Sequence, residues 1–229
     1  MNSIINIIKE RHQWVVALSL LVAFSFGSGL SSLKFTSDFK AYFSPENPQM
    51  LAFDKLETDF NKQDSVAFLV VPKNSDIFTV ETMSLIRTLT EKSWQVPYSR
   101  RADSLTNFLR TTSENDELET DELISTDVEI TAELLQSVKS YVLTDTLAKQ
   151  FSSPSNNIGL VTVTLTLPAD NLGATKEVVT YAREILKNTT YDRANIDVHI
   201  LGTTMINYAL EEAIEADVAL LIPSSYLLI

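Results

Sequence analysis

Cysteine is absent from the 229 residues. Its absence removes disulfides, thiolate nucleophiles and every zinc or iron–sulfur site built on sulfur. Histidine is nearly absent as well, since only His12 and His199 offer an imidazole and they stand far apart in unlike contexts. That argues against a histidine-based metal site. Basic residues are scarce, 18 Lys and Arg against 30 Asp and Glu, which gives a formal net charge of −12. A surface of that sign repels phosphates, so nucleic acid is not an expected partner. The chain also lacks a G-x-S-x-G elbow, an H-E-x-x-H pair and a glycine phosphate loop. No catalytic, cofactor-binding or metal-ligating residue is therefore assigned, no cofactor is expected, and the chain reads as a non-enzyme.

What is present is unevenly placed: apolar residues make up 45% of the chain, and dense blocks of them sit at both ends. From Trp14 to Leu33 the sequence WVVALSLLVAFSFGSGLSSL carries no charge over twenty residues. At 1.5 Å per residue such a helix spans about 30 Å of hydrocarbon. We expect a transmembrane helix there, with Trp14, Leu20, Phe24 and Leu30 as membrane-anchoring residues. Lys9 and Arg11 precede it, which places the amino terminus in the cytoplasm by the positive-inside rule. A cleaved signal peptide is the rival reading, because Gly27, Ser28 and Gly29 supply small residues; the length of the run argues against it. At the other end Val218 to Ile229 (VALLIPSSYLLI) is uncharged for twelve residues, too short to span a bilayer. It is expected to open a second transmembrane helix, Pro223 included, with a buried carboxy-terminal core helix as the alternative.

Three parts follow: a cytoplasmic terminus and membrane helix over 1–33, an extracytoplasmic domain over 34–217, and the truncated second helix over 218–229. Within the domain, Phe53, Leu56 and Phe60 recur at helical spacing and predict a helix over 48–61. SVAFLVV, residues 65–71, is apolar on both faces and predicts a central strand. Asp76 and Thr79 offer caps for a helix that ends near Pro97, and residues 98–108 hold a weak edge-strand signal. Residues 111–131 are strongly acidic and lead into a helix containing Leu134, Val138 and Tyr141, with Thr126 and Glu129 in a capping-box pattern. The EF-hand spacing is missing from this acidic run, so a solvated face rather than a calcium site is expected. We read about 111–155 as a helical insertion.

VTVTLTL, residues 161–167, alternates at period two and predicts a half-buried strand. An amphipathic helix over 173–188 and a strand through Ile196, Val198 and Ile200 follow, with His199 on the opposite face. A last helix begins near Thr204 and runs into the terminal apolar block without a linker. Strand, helix, weak strand, insertion, strand, helix, strand is the order of an α+β, ferredoxin-like (split βαβ) fold, flanked here by transmembrane helices.

Several segments in this order resemble the RND superfamily of exporters, in its MMPL and Patched-related branch. They are DFKAYFSPENPQMLAFDKLETDF (38–60), SVAFLVVP, GLVTVTLTLP and LGTTMINYALEEAIEAD leading into VALLIPSSYLLI. The family-like positions are Asp38, Tyr42, Pro45, Phe53, Phe60, Gly202 and Asp217, all in structural roles. The resemblance implies the amino-terminal part of a proton-motive-force-driven exporter in a bacterial inner membrane, with a periplasmic porter domain. Its implied partners are the lipid bilayer, hydrophobic or amphiphilic small molecules such as lipids or drugs, and the remaining transmembrane and porter domains of a parent chain. A homo-oligomer stays open, and proton-coupling carboxylates are expected elsewhere in the parent. The alternative is the extracytoplasmic ligand-sensing domain of a two-span membrane receptor.

Overall fold

The computed structural model describes residues 12–28, 43–44, 46–60, 64–73, 76–114, 117–168, 171 and 173–228. The chain divides into two compact units, residues 1–36 and 37–229. In the first, helix α1 (His12–Ser28) covers most of the expected membrane segment. It is uncharged, and Trp14, Leu18 and Leu20 are exposed, so its apolar surface is not confined to one stripe. Residues 29–33, which complete the expected span, lie outside the described residues. Among the described residues no helix is long and apolar enough to cross a membrane.

The second unit opens with α2 (Pro48–Phe60), whose first turn is closed by Asn47, its side-chain oxygen accepting from Gln49 N at 2.9 Å. Strand β1 (Asp64–Pro72) and helix α3 (Val80–Ser93) follow. Next come β2 (Ser99–Asp103), β3 (Leu109–Glu114), β4 (Glu117–Glu122) and α4 (Ala132–Thr144). The chain then runs through a 3-10 turn (Ala148–Phe151) to β5 (Gly159–Leu165), α5 (Ala174–Asn188), β6 (Ile196–Leu201) and α6 (Thr203–Leu228).

The fold is α+β, built on a four-stranded antiparallel sheet in the order β2-β5-β1-β6. The apolar run in β1 has its reason here, since β1 is flanked by β5 and β6 and has no free edge. Val66 and Phe68 stand opposite Val163 and Val161, on the face that shares a core with Met83, Ile86 and Leu89 of α3 and Val178, Ala182 and Ile185 of α5. On the other face Ser65, Leu69, Thr162 and Thr164 are half-buried and His199 is exposed. Pro72 ends β1 opposite Ile196, and the backbone exchange resumes one residue later with Lys73 N donating to Asn195 O at 2.9 Å. A proline is tolerated at that place because its missing N–H falls on a pair that does not exchange hydrogen bonds.

The insertion differs from its expectation in two ways. Its acidic start is a two-stranded ribbon rather than an approach to a helix, with Arg110 opposite Asp121 and Thr111 opposite Thr120, whose hydroxyls bond at 3.1 Å. Paired threonines favour such a ladder, and net acidity concealed the alternation. The cap of α4 is Thr131, whose hydroxyl accepts from Leu134 N at 3.3 Å, while the Thr126 hydroxyl turns to Asp127. The expected strand over 161–167 begins at Gly159 and ends at Leu165. Beyond the ribbon, the insertion belongs to the main core: Ile124, Ile130, Leu135, Val138, Val142 and Phe151 are all buried in it. Phe108 ties it down further, its ring 6.4 Å from Tyr141 and 6.1 Å from Phe151.

Candidate functional site

The strongest constraints on backbone placement in the second unit converge where β6 gives way to α6. Gly202 sits between them with φ of +112°, a region that side-chain-bearing residues avoid. A Cβ at Gly202 would also overlap the Ser65 carbonyl oxygen and stand 2.9 Å from Val66 Cα, both in the backbone of the central strand. Only glycine lets the chain pass this close to β1 while reversing into a helix. The turn is then fastened by Ser65 N, which donates to Thr203 Oγ1 at 3.2 Å, and by Ile206 N, which donates to Gly202 O at 3.0 Å. Thr204 is buried beside it, with its hydroxyl lacking a partner among the described residues.

Two turns on, α5 clamps the same helix. Arg183 Nη1 and Nη2 each donate to one oxygen of Glu212 at 2.8 Å, a parallel pair of charge-assisted bonds that fixes direction as well as distance. The guanidinium also lies 5.5 Å from the ring centre of Tyr208, which is buried against the domain. The Arg183 hydrogen bond holds the Glu212 carboxyl below its ordinary range, with burial opposing, and the same bond raises the Arg183 guanidinium. Both side chains are about two-fifths exposed, 43% and 40%, so solvent screens the pair. An exposed pair contributes about 0.2–1 kcal/mol, and the bidentate geometry favours the upper part of that range. The junction thus combines a rigid backbone pivot with a weaker side clamp.

Beyond the clamp α6 continues through Asp217 and Val218 to Leu228 as one helix, with Pro223 inside it. At 1.5 Å per residue its 26 residues extend about 39 Å. Among the described residues the arrangement includes no cluster of His, Asp and Glu that could hold a metal ion. What it can do is carry displacement, because a pivot that cannot relax and a helix that does not break move together.

The positions expected from sequence are distributed as follows. Trp14 and Leu20 lie on α1 and are exposed at 76% and 65%; Phe24 is on the same helix. Leu30, Asp38, Tyr42 and Pro45 lie outside the described residues. Phe53 is a partly exposed residue of α2, and Phe60 is its last residue. Gly202 forms the pivot, and Asp217 is exposed on α6, fifteen residues along the same rod. The described family-like positions therefore form no common pocket; Gly202 immediately precedes the helix that carries Asp217, while Phe53 and Phe60 belong to another helix. Ser65, Arg183, Thr203, Tyr208 and Glu212 were not singled out by sequence. Arg183 sits among the charges of an amphipathic helix, and nothing along the chain links it to an acid 29 residues away. No family model matches the chain, and neither does any curated protein.

Proposed function

We propose that this chain is the amino-terminal part of a proton-motive-force-driven RND-type exporter of the MMPL and Patched-related branch, moving hydrophobic or amphiphilic molecules outward. In this reading the second unit is a ferredoxin-like porter domain on the periplasmic side of a bacterial inner membrane. With the insertion set aside, its strands run β1, β2, β5, β6 in sequence and β2-β5-β1-β6 in space, which is the order that two interlocked split βαβ units produce. The observation that carries the reading is the unbroken α6, which starts on the central strand at Gly202 and extends through the apolar residues 218–228. A porter domain has to move with a membrane helix, and α6 supplies a rod for that purpose.

The test is transport by the parent protein in sealed vesicles loaded with an amphiphilic fluorescent dye. An imposed proton gradient should drive dye movement, and collapsing the gradient should stop it. Gradient-independent leakage, or no movement by correctly inserted protein, would remove the proposal. Topology is checked separately with reporters fused after Leu33 and before Thr204, both expected to be active only in the extracytoplasmic form.

A further inference from the structure

Among the described residues, the side of α6 that faces α5 and β1 is occupied and the opposite side is exposed. Ile206, Leu210, Ala213, Asp217 and Leu221 recur at spacings of four, three, four and four, which keeps them within one narrow stripe of a helix. All five are exposed, Ile206 at 67%, Leu210 at 47% and Leu221 at 61% among them. The stripe follows the helix axis for about 22 Å at 1.5 Å per residue. Its apolar character begins eleven residues before Asp217 and continues past it, so it does not belong to the terminal apolar block alone.

Asp217 interrupts this stripe with a carboxylate that makes no ion pair or hydrogen bond among the described residues. The occupied side of the same helix shows how such a charge is satisfied here, since Glu212 is met by the Arg183 fork beside a buried Tyr208. A second copy of α6 is a poor occupant, because two-fold pairing along the stripe would set Asp217 against Asp217 in an apolar seam. A straight, narrow apolar stripe is matched by another helix. The small side chain of Ala213 lets that helix approach closely, and Asp217 requires a cation at its level.

We propose that this side of α6 is a docking surface for an apolar helix carrying a single Lys or Arg positioned opposite Asp217. The partner is recognised by two features together, a continuous apolar contact from Ile206 to Leu221 and one buried charge pair that sets the register. The inference goes beyond the transport reading and does not depend on it, since it requires only that α6 be a continuous helix with this side open.

The test uses the whole 229-residue chain in micelles of an uncharged detergent, with fluorescently labelled Leu/Ala helical peptides of about 20 residues. One peptide carries a central Lys, one a central Leu and one a central Glu. The Lys peptide should bind about five-fold or more tighter than the Leu peptide, as polar contacts between apolar helices allow. Asp217→Asn should abolish that preference, and Asp217→Lys should transfer it to the Glu peptide. Leu210→Asn should weaken the Lys and Leu peptides alike. Circular dichroism of each variant verifies that α6 remains folded. Equal binding of the three peptides, or a Lys preference that survives Asp217→Asn, would overturn the inference while leaving proton-driven transport to its own test.

Discussion

Replacing Gly202 by Ala puts a Cβ against the backbone of the central strand. Two costs add. A side chain at positive φ outside the helical wells is strained by about 1–3 kcal/mol. The new Cβ also meets the Ser65 carbonyl and Val66 Cα, which belong to the central strand and cannot swing aside as a side-chain terminus would. Forced overpacking costs about 1–3 kcal/mol more. A loss of about 2–6 kcal/mol is expected, and for a domain of this size that lowers Tm by about 4 °C at the least. Gly173→Ala is the internal control, because that glycine precedes α5 at φ of −86° and a Cβ there meets only Asn171 Oδ1 at 3.4 Å. Thermal unfolding of the whole chain in mild detergent, followed by circular dichroism, compares the two. A Gly202→Ala protein that unfolds within about 1 °C of wild type, a shift of about 0.25–0.5 kcal/mol, would refute the close approach and the pivot with it.

The remaining predictions concern the clamp and the insertion. The folded Glu212 carboxyl titrates below its ordinary 4.5, so the clamp's stabilisation is present above that pH and is lost as pH falls through the lower folded value. Unfolding measured from neutral to acid pH should show Glu212→Gln less stable than wild type at neutrality by up to about 1 kcal/mol, with the gap closing in acid and in high salt. Thr131→Ala should cost about 1 kcal/mol through loss of the α4 cap, whereas Thr126→Ala should be nearly neutral; denaturant midpoints separate them. Ile124→Ala should cost about 2–5 kcal/mol, because this insertion residue is 2% exposed within the main core; a loss below about 1 kcal/mol in the same assay would mean that the insertion folds apart from it.

Particular residues show how far a linear reading reaches. The β1 run SVAFLVV announced a strand without a free edge because both its faces and both its neighbours demand apolar or backbone partners. VTVTLTL announced a half-buried strand through its threonines, and the amphipathic period over 173–188 announced α5, where Val178, Ala182 and Ile185 are buried and Leu186 is half-buried. The ribbon β3 and β4 escaped because it depends on cross-strand pairing, Thr111 with Thr120 for one, and such partners are invisible until the turn between them is placed. The Thr126 cap failed for a related reason: a hydroxyl followed by an acid suits several turns, and only the entry of Ile130 into the core fixes where α4 begins.

Periodicity and charge determined by themselves the order of the four sheet strands and of the helices between them, the apolar blocks at the two extremes, the net negative charge and the lack of cysteine. These properties are local, each set by a few neighbouring residues. Tertiary structure alone decided that Gly202 presses on Ser65, that Arg183 grips Glu212, and that Asp217 stands on an exposed side of α6 without a partner among the described residues. Each of those depends on residues brought together from distant parts of the chain by sheet register and helix packing, and the free energy of a contact is not written in either partner alone.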